Sequence, residues 1–592
     1  MNTPVLPFDE IKGRKLNDEQ RSFLEGLFAG LANRGLKFSD VAPNPVTAAT
    51  PPAPPRAEEN LIFEERIKRE LHPLDAYPVL LEHASAGKAP ERENIFRFKW
   101  NGLFYLTPNK EAFMARLRIP AGQLKTFQLR EIARVATDLT TQYVQITTRA
   151  NLQIRLIQVK DAPEVLHRIQ GVGLHTRGAG ADNIRNLTAS PASGLDPHEL
   201  IDTARYCHQL AQIIINDRKF YDLPRKFNIA FDGSGLISSL EDTNDIGVKA
   251  VEVTTAGGDI QPGIYFRIKL GGATGHKTFA RDLGVLVRPD EILKVVTAVV
   301  RVYITNGNRG DRKQARLKHL LEKWTLEQYL AETEKLLGCS LPRAPLDDAG
   351  QSPLEAPRQL PNVPHPHVGV FPQKQAGLNY VGVAVPVGQL TPRQMLRLAD
   401  LADNYASGEI RLTVWQNLIL PNVPDAYLET VKKALVKMGL HWQQSNIRSG
   451  LVACTGNSYC KFSSTNTKAH ALELANYLEK RLKLDQPINI HLTGCPNSCA
   501  QHYIGDIGLL GAKVKLLGEP VEGYHVFVGG GFDDHRAVGR QVFQGISFEQ
   551  LKPTLEKMLQ GYLRHRTTGE NFRDFTARHD LNTLQAIFSN EE

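Results

Sequence analysis

The segment IPAGQLKTFQLREIA at 119–133 returns as VPVGQLTPRQMLRLA at 385–399. Pro120, Gly122, Gln123, Leu124, Gln128 and Ala133 recur as Pro386, Gly388, Gln389, Leu390, Gln394 and Ala399, each pair 266 residues apart (386 − 120). The same offset carries Thr147, Asn151 and Leu152 onto Thr413, Asn417 and Leu418. It also carries Gly173, Leu174 and His175 onto Gly439, Leu440 and His441. An offset that holds over such a stretch marks a duplicated unit, and two copies in one chain imply a pseudo-twofold pair. Each copy reads as strand, turn, helix, strand and second helix. In the first, Gln123–Ala136 has helical spacing, and LQIRLI at 152–157 alternates apolar and polar like a half-buried strand. The fold class is therefore α+β. A weaker echo follows: YFRIKLGG at 265–272 against YHVFVGGG at 524–531, each an apolar strand running into glycines that let backbone approach closely.

The rest of the chain is organised around these copies. With 592 residues it exceeds what one hydrophobic core serves. Residues 17–35 read as an amphipathic helix capped by Asn17, and APNPVTAATPPAPPR at 42–56 reads as a linker. A Pro-rich connector at about 340–366 joins the two halves. No run approaches the ~20 apolar residues of a membrane helix, and Met1 to Lys15 lack the apolar core of a secretory signal, so a cytoplasmic protein is expected. The net charge of +8 is far below the basic density of a dedicated nucleic-acid binder, yet compatible with an anionic substrate or an acidic protein partner.

Four of the six cysteines cluster near the C-terminus, in CTGNSYC at 454–460 and GCPNSC at 494–499. The C-x5-C and C-x3-C pairs are separated by 34 residues. Four thiolates are what a cubane iron–sulfur cluster takes; a zinc site takes four as well, but with closer pairs than C-x5-C. Cys495 and Cys499 stand one helical turn apart, and Pro496 is placed where a helix could begin, with its N–H groups towards the sulfurs. Subtracting the offset gives Thr188 and Gly194 for Cys454 and Cys460, so the first half has no equivalent pair. Cys207 and Cys339 carry no motif and read as ordinary small residues.

From about residue 60 onward the chain resembles the sirohaem-dependent nitrite and sulfite reductases. The two cysteine segments carry the resemblance, supported by MARLRIPAGQ (114–123), TTRANLQIR (147–155), DNIRN (182–186), LPRKFN (223–228) and NGNRGDRKQARLKHLL (306–321). It implies a 4Fe-4S cluster on Cys454, Cys460, Cys495 and Cys499, with the Cys499 thiolate shared with the sirohaem iron. It gives Arg116, Arg185, Lys226 and Asn228 the substrate-binding positions, where cationic donors hold a small anion and, with water, deliver protons. Sirohaem's eight carboxylates demand a basic pocket, for which Arg149, Gln153, Arg155, Arg225, Arg312, Arg316 and Lys318 are the candidates. One departure is Ala150, where the family usually has Gln. Members acting on sulfite commonly read PRKFK; this chain has PRKFN, one positive charge fewer, which suits monoanionic nitrite over largely dianionic sulfite.

The implied architecture is a pseudo-twofold duplication of two ferredoxin-like half-domains and two sirohaem/iron–sulfur α+β domains. Its segments are 1–60 (helix and linker), 61–175 (first half-domain with an N-terminal wrap), 176–340 (first sirohaem-binding domain), 341–366 (connector), 367–445 (second half-domain) and 446–592 (iron–sulfur/sirohaem domain). The implied activity is six-electron reduction of nitrite to ammonia by a monomeric oxidoreductase. No flavin, nicotinamide or additional ferredoxin module is evident, so electrons are expected from reduced ferredoxin or flavodoxin. The alternatives are ferredoxin-dependent sulfite reduction and, from another class, an iron–sulfur electron-transfer protein without substrate chemistry. The last leaves the arginine segments and PRKFN unexplained.

Overall fold

The computed structural model describes residues 10–11, 14–15, 61–106, 110–140, 143–347 and 350–589. Met1–Leu61 and Ile62–Glu592 form separate compact units. In the first, Glu10–Ile11 pairs antiparallel with Arg14–Lys15; the helix expected at 17–35 and the linker at 42–56 lie outside the described residues.

In the larger unit the duplication takes the form of an exchange. One five-stranded antiparallel sheet holds Leu103–Tyr105, Phe113–Arg116, Leu152–Ile157 and Val144–Ile146 of the first copy, and its edge is Gln389–Leu390 of the second. The other holds Gly369–Pro372, Leu378–Val383, Leu418–Pro424 and Glu409–Leu412 of the second copy, with Gln123–Lys125 of the first at its edge. Gln389 pairs with Gln145, and Gln123 with Arg411. Each half thus donates its Gln-Leu segment to its partner. That explains why P-x-G-Q-L is the strongest part of the repeat.

The turns before these strands are alike. Pro120–Gly122 and Pro386–Gly388 are 3-10 turns with left-handed Ala121 and Val387, and the glycines sit at φ 71° and 70°. A Cβ on Gly122 would lie 2.5 Å from the Leu412 carbonyl oxygen, and one on Gly388 2.7 Å from that of Ile146. Only glycine allows both the conformation and the approach. The recurring glutamines close the first helical turn: the N–H groups of Lys125 and Thr391 donate to Gln128 Oε1 (3.0 Å) and Gln394 Oε1 (2.9 Å). Their amides reach the Val172 and Met438 carbonyls, each at 3.0 Å. Helices Thr126–Leu139 and Pro392–Tyr405 then pack together, with Arg130 bridging Asp400 (2.6 Å) and Asp403 (2.7 Å). One apolar core runs through both halves.

Two sequence expectations are corrected. Helical spacing suggested a helix from Gln123, but Gln123–Lys125 is the exchanged strand and the helix begins at Thr126. Leu152–Ile157 is buried on both faces rather than one: Gln153 and Arg155 are only 6% and 2% exposed.

The second kind of layer also occurs twice. Leu451–Ala453, Ile490–Thr493 and Ile507–Leu516 run parallel, and Glu519–Val528 and Arg540–Ser547 complete that sheet antiparallel. Ile229–Asp232 and Ile246–Val253 run parallel in the earlier sheet, followed antiparallel by Gly263–Leu270 and Arg281–Val287. The strands holding YFRIKLGG and YHVFVGGG occupy matching places. The Pro-rich connector is tied to the earlier sheet: Leu286 N–H donates to the Pro342 carbonyl (3.0 Å) and Thr254 N–H to that of Leu354 (2.9 Å). Among the described residues no helix is long and apolar enough to cross a membrane.

Candidate functional site

A cavity of about 340 Å³ opens where these layers meet, within the roughly 300–1,000 Å³ range of ligand pockets. The first half-domain contributes Arg116 at a strand end, Gln153 from the neighbouring strand and the turn Thr147–Asn151. The earlier α+β layer supplies Arg185, Lys226, Asn228, His276 and Arg316; the later one supplies Cys454, Lys468, Asn497 and Cys499. No aspartate or glutamate lines it among the described residues.

Its electrostatics follow from that composition. Asp245 lies behind the wall and is engaged by Arg316, whose Nη2 stands 2.9 and 2.8 Å from the two carboxylate oxygens. Asp245 also receives the Asn228 backbone N–H at 2.9 Å, fixing the PRKFN segment. Arg149 donates to neutral oxygens, Asn244 Oδ1 and the Asn186 carbonyl, both at 2.7 Å. Arg116 gives one N–H to the Ala179 carbonyl (3.3 Å) and lies over the Phe104 ring, 4.5 Å from its centroid. Arg185 Nη1 is buried without a hydrogen-bond partner. Burial lowers the pKa of every one of these free cations, taking Lys226 to about 8 and Arg149 to about 10 and holding Arg185 well below its ordinary value. For Arg116 and Lys226 the Cys499 sulfur pulls the other way. Four buried cations, Arg116, Arg149, Arg185 and Lys226, held by no carboxylate make a strong demand for anionic charge.

On the later layer, Cys454 and Cys499 face the cavity, while Cys460 and Cys495 are not among its lining residues. Cys499 is solvent-accessible through the cavity yet enclosed by protein. Burial first, then the neighbouring cysteine sulfurs, push its thiol up to about 12 against the pull of Lys226. Cys454 Sγ accepts the Gly494 N–H at 3.3 Å. Among the described residues no three His, Cys, Asp or Glu side chains converge on a point that one ion could occupy. The expected helix from Cys495 to Cys499 is absent: the segment is a series of turns, with Ser498 and Gln501 at φ 51° and 54°. Thr148 Oγ1 donates to the Cys499 carbonyl (2.9 Å), tying the first half to this loop.

The remaining sequence candidates stand away from the lining. Arg155 is buried behind it, donating to Gln145 Oε1 and Thr455 Oγ1 at 2.8 Å each, and bonded to Gln153. Arg312 forks onto the buried Asp182 at 2.8 Å through both terminal nitrogens, with Arg225 3.8 Å from the same carboxylate. Lys318 pairs with Glu322 at 2.9 Å. Ala150 is fully buried in the core, and its counterpart at the repeat offset is Gln416. Gln416 lines the cavity and clamps Ala453, donating at 3.0 Å and accepting at 2.9 Å. Sequence reasoning missed Gln416, Lys468 and His276. The repeat register could have found the first; no local signal marks the other two. Burial takes Lys468 to about 7 and His276 to about 4.

The description "Nitrite and sulphite reductase 4Fe-4S domain" matches residues 180–341 and 444–592, and "Nitrite/Sulfite reductase ferredoxin-like half domain" matches 105–172 and 371–438. The chain belongs to the nitrite and sulfite reductase family. It is 37% identical to the ferredoxin–nitrite reductase of Synechococcus elongatus over 85% of this chain and 96% of that one. The assimilatory ferredoxin-dependent nitrite reductase of Haloferax mediterranei is 33% identical over 82% and 85%. The solved structure of Mycobacterium tuberculosis NirA protein superposes with a TM-score of 0.80 at 30% identity, covering 89% of this chain and 98% of that one. As a member of this oxidoreductase family the chain takes sirohaem and a 4Fe-4S cluster as cofactors. The residues present fit both: four gathered cysteines for the cluster, and an arginine with an orphaned buried nitrogen in a cavity without carboxylates for a polyanionic tetrapyrrole.

Proposed function

We propose that this chain reduces nitrite to ammonia with electrons from ferredoxin. When bound, the cluster and sirohaem supply the electron path and the metal at which the anion's nitrogen is reduced. Cys454, Cys460, Cys495 and Cys499 would hold the cluster, with Cys499 facing the tetrapyrrole. Arg149, Gln153 and Arg316 at the lining are the first candidates for its carboxylates, with Arg155, Arg225, Arg312 and Lys318 further out. The substrate set is Arg116, Arg185, Lys226 and Asn228. Its three cations hold the anion, stabilise charge on the departing oxygens and hand on protons, since each oxygen leaves as water. Lys226, the one amine among the three and destabilised as an ammonium by burial, is the cation that can most readily give up a proton. The domain division given above follows from the same reading; what supports it is that both kinds of layer occur twice.

The observation that carries nitrite over sulfite is Asn228 on the wall beside Lys226, a neutral amide where a second ammonium would suit a dianion. Named nitrite reductases among the relatives support it. The test is an anaerobic steady-state assay with reduced ferredoxin on protein with confirmed sirohaem absorbance, comparing both anions. Ammonia formation with a large kcat/KM advantage for nitrite is expected; a preference for sulfite overturns the substrate assignment.

A further inference from the structure

Lys468 belongs to the cavity but to none of the roles above. It stands in the first turn of the helix Thr467–Glu479, is 6% exposed, and forms no ion pair among the described residues. Its ammonium donates to the Val387 carbonyl and, at 3.2 Å, to that of Ala453, the residue before Cys454. One N–H therefore remains for the cavity side. The neighbouring Thr467 is fully buried; its hydroxyl donates to the Cys454 carbonyl at 2.8 Å and stands 3.5 Å from Cys454 Sγ. The Gly494 N–H reaches the same sulfur. Cys454 is thus flanked by the Lys468 amine on the preceding carbonyl, a hydroxyl, a backbone donor and the positive end of a 13-residue helix.

Such surroundings act unequally on the two redox states. Adding one electron, supplied by the ferredoxin donor, makes the thiolate-bound group more negative without making or breaking a bond. A buried cation stabilises the reduced form more than the oxidised one, and donors to the sulfurs do the same. A negative cluster on the four thiolates would favour the protonated form of Lys468 against the effect of burial. We propose that Lys468, assisted by Thr467, is a positioning residue that raises the reduction potential of the 4Fe-4S cluster through Cys454. The inference rests on the cofactor reading above.

The experiment is a redox titration of the as-purified holoenzyme without nitrite, following the reduced cluster by electron paramagnetic resonance. Lys468→Met should lower the midpoint so that the reduced-to-oxidised ratio at a fixed poise falls at least tenfold, about 59 mV for one electron. Lys468→Arg should stay near the parent, and Thr467→Val should move less in the same direction. A parent-like midpoint in a cluster-loaded Lys468→Met overturns the proposal. If that variant does not load, Lys468→Gln carries the test, since its amide still donates to a carbonyl without charge. Loss of the cluster from both neutral variants, with retention in Lys468→Arg, would make the residue a structural pin and also overturn it. Because no substrate is present, a shifted midpoint stands whichever anion the enzyme prefers.

Discussion

Asn228 is held through its backbone by Asp245 at 2.9 Å while its side chain borders the cavity beside Lys226. Asn228→Lys would add an ammonium where three unpaired cations already gather. A hydrogen bond to a charged group is worth about 1.5–3 kcal/mol, so the kcat/KM ratio of nitrite to sulfite should fall by roughly 10- to 100-fold. Steady-state kinetics with both anions on sirohaem-loaded protein decides this; an unchanged ratio would remove Asn228 from the specificity argument. Arg116, Arg185, Lys226 and Asn228 were legible because each sits in a segment of recognisable pattern, and all four line the same cavity. Arg312 and Arg225 had equally good segments, yet they stand on Asp182, and no local pattern tells an arginine that faces a cavity from one that faces a buried carboxylate. Lys468 was invisible for a related reason: it is one lysine in an unremarkable helical turn, and only tertiary placement brings it to Cys454.

At the scale of elements, the exchanged strands explain why the repeat keeps its glycines. Gly122→Ala would force a left-handed alanine, costing about 1–2 kcal/mol, and also drive its Cβ to 2.5 Å from the Leu412 carbonyl oxygen. Overpacking adds about 1–3 kcal/mol. Gly173 has a similar φ of 73° but open space around its Cβ position, so Gly173→Ala isolates the backbone contribution. Calorimetry should place the unfolding of Gly122→Ala clearly below that of Gly173→Ala, and equal midpoints would show that the exchange does not need the close approach. The duplication itself was readable in the sequence, but a constant offset says which residues are equivalent and nothing about which ones touch. Hence Gln123 looked like a helical residue rather than a strand donated to the other half. LQIRLI misled for another reason: alternation marks two different faces, and here the polar face turns to the cavity wall instead of solvent.

Taken as a whole, the larger unit has a buried, acid-sensitive seam. His365 comes from the end of the connector, His367 and Trp415 from the second half and His491 from the last sheet. His367 stacks on Trp415 with ring centroids 5.4 Å apart, and His491 meets the same indole edge-on at 6.0 Å. Burial, the largest cause in each case, takes His365 to about 4, His367 to about 3 and His491 to about 4. In the unfolded chain all three titrate near 6.5. Between that value and their folded values the unfolded state binds more protons, so stability rises with pH. It is full above about pH 6.5 and is lost as pH falls towards 4, by up to about 1.4 kcal/mol per pH unit for each histidine. His491 Nδ1 also faces the Gln501 carbonyl at 3.2 Å, just beyond the cysteine loop, so opening of this seam should loosen the cluster-bearing half first. Thermal unfolding followed by tryptophan fluorescence between pH 5 and 7.5 should show this slope. His367→Phe, which keeps an aromatic ring on Trp415 but cannot titrate, should flatten the slope by one histidine's share, up to about 1.4 kcal/mol per pH unit. An identical slope in that variant would place the acid sensitivity elsewhere, the other histidines lowered by burial, His276 and His502, being the next groups to vary.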